Sequence, residues 1–173
     1  MRAIKYAFSS TIGRDVFIVA ARRTPIGSFT GRLSHLLAPE LGGIAIKGAL
    51  DSIKLSPKEV NEVILGNVLS AGVGQAPARQ ASLKGGIDIN VPCTTINKVC
   101  SSGMKAIVFG SQSIALGHTD VVVAGGFESM SNSPHMLLGG RKGLGFGDRK
   151  LVDCISHDGL TDAYNNHSMG LCA

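Results

Sequence analysis

Hydrophobic residues fall along this chain in short blocks that change period, and the blocks define the elements. Asp15-Val16-Phe17-Ile18-Val19-Ala20-Ala21 is a continuous apolar run, the pattern of a strand buried on both faces. Pro25, Gly27 and Gly31 break residues 22–31 into a loop. From 39 to 53, Leu41, Ile44, Ala45, Ile46, Ala49 and Leu50 recur at helical spacing behind Pro39. Ser56-Pro57-Lys58-Glu59-Val60 reads as a capped helical turn. Residues 62–68 form a second apolar run and residues 75–84 a second helix, stopped by Gly85-Gly86. A third strand opens at Val91-Pro92 and runs to Cys100. A helix follows over 101–116, with Met104, Ile107, Val108, Ser111, Ile114 and Ala115 as its buried face. Asp120 to Ala124 is a fourth strand, ended by Gly125-Gly126. This alternation predicts an α/β fold: a mostly parallel sheet with helices on its faces. Residues 131–148 are rich in Gly and Ser and nearly aperiodic, and no strand leads into Gly139 to Gly147. That run is therefore neither a phosphate-binding nor a dinucleotide-binding loop.

Composition agrees with one domain that has a real core. The chain has 173 residues, is 44% hydrophobic and only 5% aromatic, and holds 23 Gly and no Trp. The net charge of +5 is concentrated at Arg2, Lys5, Arg14, Arg22, Arg23 and Arg32, and again at Arg141, Lys142, Arg149 and Lys150. Basic charge permits nucleic acid, an anionic membrane or a phosphorylated ligand. No aromatic residues interleave with the basic clusters and no nucleic-acid motif occurs, so a phosphorylated small molecule ranks first. A solvated basic surface accounts equally well for any single Lys or Arg. No apolar run approaches the roughly 18 residues of a membrane span. The four cysteines, Cys93, Cys100, Cys154 and Cys172, have no metal-ligand spacing, and no secretory signal precedes them. A reducing compartment is the natural reading. Residues 1–14 hold Arg2, Lys5, Arg14 and the hydroxyl run Ser9-Ser10-Thr11 without an acid. That is the composition of a short mitochondrial transit peptide, the alternative being a flexible amino terminus.

Cys100 sits where a strand turns into a helix. Free amides and the dipole at a helix start stabilise an anion, and a thiol of ordinary pKa about 8.5 becomes a better nucleophile there. By position alone the alternative is a buried, inert cysteine, the commoner fate of this residue.

Longer motifs change that balance. Asn97-Lys98-Val99-Cys100-Ser101-Ser102-Gly103-Met104-Lys105-Ala106 resembles the nucleophile segment of the thiolase family. Asp120 to Ser131, through Gly125-Gly126-Phe127-Glu128-Ser129-Met130, resembles the family's next signature. Arg22-Arg23-Thr24-Pro25-Ile26-Gly27 and Gly74-Gln75-Ala76-Pro77-Ala78-Arg79-Gln80 match further blocks in order. The resemblance runs from about Asp15 to the last residue and is strongest to the biosynthetic branch, the acetyl-CoA C-acetyltransferases.

That resemblance implies two similar βαβαβ halves stacked around buried central helices. Residues 15–128 would be the first half without its last strand, and residues 129–173 the start of the loop domain, cut short. In the family the loop domain contributes to tetramer contacts and to the coenzyme A site. The implied reaction condenses two acetyl-CoA to acetoacetyl-CoA and CoA, or the reverse, through an acetyl thioester on Cys100. Coenzyme A is then substrate and product, and no separate cofactor or metal is expected. Met169 matches the methionine that lines the acyl pocket, with Ser168 in place of the commoner His. The family's activating His, second Cys and Asn-held water belong to a carboxy-terminal half. None of His35, His118, His135, His157 and His167 matches that His motif, so the 173 residues alone are expected not to complete the reaction. Cys93, Cys154 and Cys172 read as small apolar residues. The expected partners are acetyl-CoA and acetoacetyl-CoA, without nucleic acid or membrane, and further copies of the chain as a tetramer. The expected location is mitochondrial, or else cytoplasmic. Competing readings are a degradative 3-ketoacyl-CoA thiolase, a β-ketoacyl synthase (which the Asn97-Lys98-Val99 lead-in disfavours) and a non-catalytic thiolase-like fragment that associates with a full-length partner.

Overall fold

The structure is a computed structural model that describes residues 13–172. Residues 1–12, most of the expected leader, lie outside the described residues. Arg14 is tied to the folded body. Its N–H donates to the Ala115 carbonyl, and its guanidinium bonds Asp120 at 2.6 Å and the Thr119 carbonyl at 2.8 Å.

Three parallel strands form the centre: β1 (Glu62–Gly66), β2 (Cys93–Ile96) and β3 (Val122–Gly126), in the order β2-β1-β3. Before them comes α1 (Ala38–Ser52). Between them run α2 (Pro77–Lys84) and α3 (Ser102–Ala115). The crossover through α2 steps from β1 to one side, and the crossover through α3 steps back past β1 to the other. Right-handed crossovers in opposite directions put their helices on opposite faces, so α2 and α3 sandwich the sheet and α1 packs on α2.

The strand period divides the side chains accordingly. Val63 and Leu65 point into the main core with Ala38, Ile46, Leu50, Ala78, Ala81 and Phe127. Glu62, Ile64 and Gly66 face α3. Glu62 accepts a bond from Ser113 of that helix at 2.9 Å, and Gly66 lies directly beneath Ser102. At the start of α1, Glu40 reaches back to the Leu37 N–H at 2.8 Å, and Ser56 caps a 3-10 turn at Pro57–Glu59. No helix among the described residues is long and apolar enough to cross a membrane.

Several expectations need correction. Asp15 to Ala21 is neither a strand nor buried: Phe17, Ile18 and Val19 are 74%, 79% and 66% exposed. A two-sided strand needs a ladder partner and a layer on each face. None flanks this run among the described residues. The strand expected to reach Cys100 ends at Ile96, and residues 97–100 form a turn. The expected fourth strand is shifted two residues along. Gly125 and Gly126 do not stop it but pair with Leu65 and Gly66.

The buried stripe of α3 is also different. It is Ser102, Ala106 and Gly110, while Met104 is 71% exposed and Ile107 and Val108 turn outward. The helix approaches so closely that a Cβ at Gly110 would lie 2.9 Å from Val122. Only small residues fit that contact. The aperiodic tail has structure of its own. An antiparallel pair, β4 (His135–Leu137) and β5 (Leu151–Asp153), leads into a π-helical turn at Ile155–Leu160 and a short α4 (Met169–Cys172). Cys172 is exposed rather than packed, whereas Cys154 is fully buried and Cys93 partly so.

Candidate active site

Parallel strands end on one side, so the loops after β1, β2 and β3 meet there, the usual ligand edge of such a sheet. The first residues beyond the strands are Asn67, Asn97 and Phe127-Glu128. Backbone bonds continue the ladder into them: Asn67 N–H donates to Ile96 O at 3.1 Å and Phe127 N–H to Gly66 O at 3.0 Å.

Cys100 belongs to the loop after β2. Val99 before it has φ of +48°, left-handed backbone that a β-branched residue rarely adopts. Such strain costs roughly 1–3 kcal/mol and persists where the surroundings hold it. Three bonds do so here. Asn97 Oδ1 accepts from Val99 N–H at 2.8 Å, Ser102 Oγ accepts from Lys98 N–H at 2.8 Å, and the same hydroxyl donates to Val99 O at 2.6 Å. The turn leaves Cys100 exposed, immediately before the first residues of α3. Ser101 at the helix cap spends its hydroxyl on Lys98 O, so no side chain caps α3. Cys100 Sγ makes no hydrogen bond among the described residues. The Ser101 and Ser102 amides are bonded to Lys98 O and Val99 O, so the accessible sulfur lies near the Gly103 and Met104 amides of the first turn, which no side chain caps and which suit an oxyanion.

Glu128 stands at the end of β3, half-buried, and collects three donors: Asn67 Nδ2 at 2.7 Å, Val68 N–H at 2.9 Å and Leu69 N–H at 3.1 Å. Burial raises its carboxyl above the ordinary range, and the bonds from Val68, Leu69 and Asn67 pull the other way. Asn67 is buried, also donates to Phe127 O, and its Oδ1 has no partner among the described residues. On the far side, Asn97 Nδ2 donates to Val68 O at 3.4 Å. Sequence reasoning named Cys100 but missed Asn67, Asn97, Ser102 and Glu128 as a group. The available signal was a polar residue within two positions of each strand end: Asn67, Asn97 and Glu128.

The other expected site residue, Met169, opens α4 and is 40% exposed; it is not part of this group. A cavity of about 680 Å³ lies between the 22–29 segment and residues 126–131, with Glu128 and Asp153 in its wall. Cys100 does not line it.

Cys154 is the buried counterpart of Cys100. Burial first, and then its hydrogen bond to Asp158 Oδ2 at 3.3 Å, push its thiol from 9.0 to about 11. Near pH 8 only about one molecule in a thousand would carry the thiolate. Peptide mapping after iodoacetamide treatment near pH 8 is therefore expected to find Cys100 and Cys172 alkylated and Cys154 protected. Because the raised pKa favours the neutral thiol in the fold, its contribution to stability is complete below about pH 9 and is lost as pH rises through about 11.

A family model described as "Thiolase, N-terminal domain" matches residues 16–173. The cytosolic acetyl-CoA acetyltransferase of Gibberella zeae is 54% identical over 158 residues, which is 91% of this chain and 40% of that protein. The human mitochondrial acetyl-CoA acetyltransferase is 52% identical over 177 residues, covering 100% of this chain and 41% of that protein. The crystal structure of Acat5 thiolase from Ascaris suum in complex with coenzyme A matches with a TM-score of 0.88 at 47% identity, over 92% of this chain and 41% of that one. The chain spans about 40% of the length of the relatives it matches.

Proposed function

The chain belongs to the thiolase family, and from that premise we propose that it supplies the nucleophile of an acetyl-CoA C-acetyltransferase. In this reading the Cys100 thiolate attacks the carbonyl carbon of acetyl-CoA. The bond from that carbon to coenzyme A sulfur breaks, and CoA leaves, taking up a proton. The acetyl group is now a thioester on Cys100. A second acetyl-CoA loses a proton beside its carbonyl and attacks the thioester. A carbon–carbon bond forms, the bond to Cys100 breaks, and acetoacetyl-CoA is released. Amides at the start of α3 would stabilise the oxyanion of the first step. Coenzyme A enters only as substrate and product, with no further cofactor.

The carrying observation is the exposed Cys100 on a left-handed turn against the uncapped start of α3. The proton transfers need an acid/base pair that the relatives' remaining length would provide. Met169 would line the acyl pocket, and the assembly would be a homotetramer. For location we take the mitochondrion, on the basic, acid-free residues 1–14; the relatives include both mitochondrial and cytosolic proteins.

The test is a chimera in which this chain replaces the matching portion of a relative. It is expected to cleave acetoacetyl-CoA with CoA, to prefer it to a long-chain 3-ketoacyl-CoA, and to yield an acetylated Cys100 peptide on quenching. Turnover with Cys100 unmodified would refute the proposal. Preference for the long-chain substrate would move the chain to the degradative thiolases.

A further inference from the structure

We propose that Glu128 is a positioning residue for Cys100, acting across the carboxy-terminal end of the sheet through residues 67–69 and Asn97. The proposal rests on Cys100 being the nucleophile. Had Glu128 served only to close the loop after β1, its bonds to Asn67, Val68 and Leu69 would end the matter. They do not, because Val68 is shared. Its N–H is held by Glu128, and its carbonyl accepts from Asn97 Nδ2. The other side-chain atom of Asn97 takes the N–H of Val99, the residue held in left-handed backbone just before Cys100. Since β1 lies between β2 and β3, the loop after β1 adjoins both neighbours, through Asn97 on one side and Glu128 on the other. A shift of Val68 therefore moves the amide that aims Cys100. The 3.4 Å bond from Asn97 to Val68 is the longest link, so the coupling is expected to be moderate.

Arg22, Arg23 and Asp153 line the same cavity as Glu128. Cys154 feels the Glu128 charge from the segment after β5. Lys98 and Lys105 flank Cys100 in sequence. None of them is altered by the variants below.

The experiment uses the 173-residue chain and reads the iodoacetamide alkylation rate of each cysteine by peptide mapping. Glu128→Gln puts an amide NH2 against an N–H donor and breaks one side of the clamp. Asn97→Ser keeps an acceptor for Val99 N–H but is too short to reach Val68. Either substitution is expected to slow Cys100 by about tenfold, the scale of a small misalignment. Cys172 should be unchanged and Cys154 still protected. The double variant should be no slower than the slower single one, because both act on one path. Two results overturn the positioning role: an unchanged rate at Cys100, or faster labelling at all four cysteines together, which marks general loosening. If Glu128→Gln does not fold, Asn97→Ser carries the same outcomes. A wild-type Cys100 that reacts no faster than Cys172 would remove the nucleophile reading itself, and this inference with it.

Discussion

Replacing Cys100 with alanine in the chimera is expected to lower kcat for acetoacetyl-CoA cleavage by at least about a thousandfold, the scale seen when a covalent nucleophile is removed. No other described residue offers a substitute. Cys154 is buried, with its thiol held up to about 11. Cys172 is exposed but lies at the end of α4, outside the hydrogen-bonded group at the strand ends. Cys100→Ser should be nearly as inactive, because a hydroxyl ionises far less readily than a thiol and the start of a helix cannot make up the difference. Stability should barely change. Cys100 is exposed and its side chain makes no hydrogen bond, and such positions usually stay within about 0.5 kcal/mol. Steady-state kinetics with a parallel urea melt would check both parts. Retention of more than a tenth of the activity by the alanine variant would mean that acetyl transfer does not pass through this sulfur.

Which features could be read from the chain follows from how local their causes are. The nucleophile turn was legible because its chemistry is contiguous: strand, Asn97 to Ser102, helix. The α1 helix was legible because its apolar stripe and Pro start obey local rules, and α2 because Gly85-Gly86 marks its stop. The inner face of α3 was not. Met104, Ile107 and Val108 look like a core stripe, but contact with β1 and β3 is so close that Ser102, Ala106 and Gly110 take that place. Pattern reading rewards large apolar residues and overlooks a seam of small ones. Asp15 to Ala21 failed for a related reason, since burial depends on what lies alongside and a run of letters does not supply it. Strands β4 and β5 have three residues each, too few to display a period. Glu128 was visible as a letter in a motif. Its role depends on amides about 60 residues earlier in the chain.

The same seam underlies the second large effect, at Gly66. This residue ends β1 on the face toward α3. A Cβ there would lie 2.5 Å from Ser102 Cβ, 2.6 Å from Ser102 C and 2.7 Å from Gly103 N. Two of those three atoms are backbone, so no rotamer change relieves the clash; α3 must move away from the sheet at its first turn. Gly66→Ala is therefore expected to cost about 3 kcal/mol, the upper end for overpacking a rigid contact. The loss should also reach Cys100, because the displaced Ser102 is the residue whose hydroxyl braces Lys98 and Val99. Alkylation of Cys100 should fall with stability in this variant, whereas in Glu128→Gln it should fall mainly by itself. Gly48 in α1 is the matched control. A Cβ there meets nothing within 4 Å, so Gly48→Ala should stabilise the chain by about 0.5–1 kcal/mol through helix propensity alone. Urea unfolding of the two variants beside the wild type separates contact from propensity. A Gly66→Ala chain within about 0.5 kcal/mol of wild type, the range of an ordinary surface change, would show that α3 does not sit on β1 as closely as the hydroxyl brace at Cys100 requires.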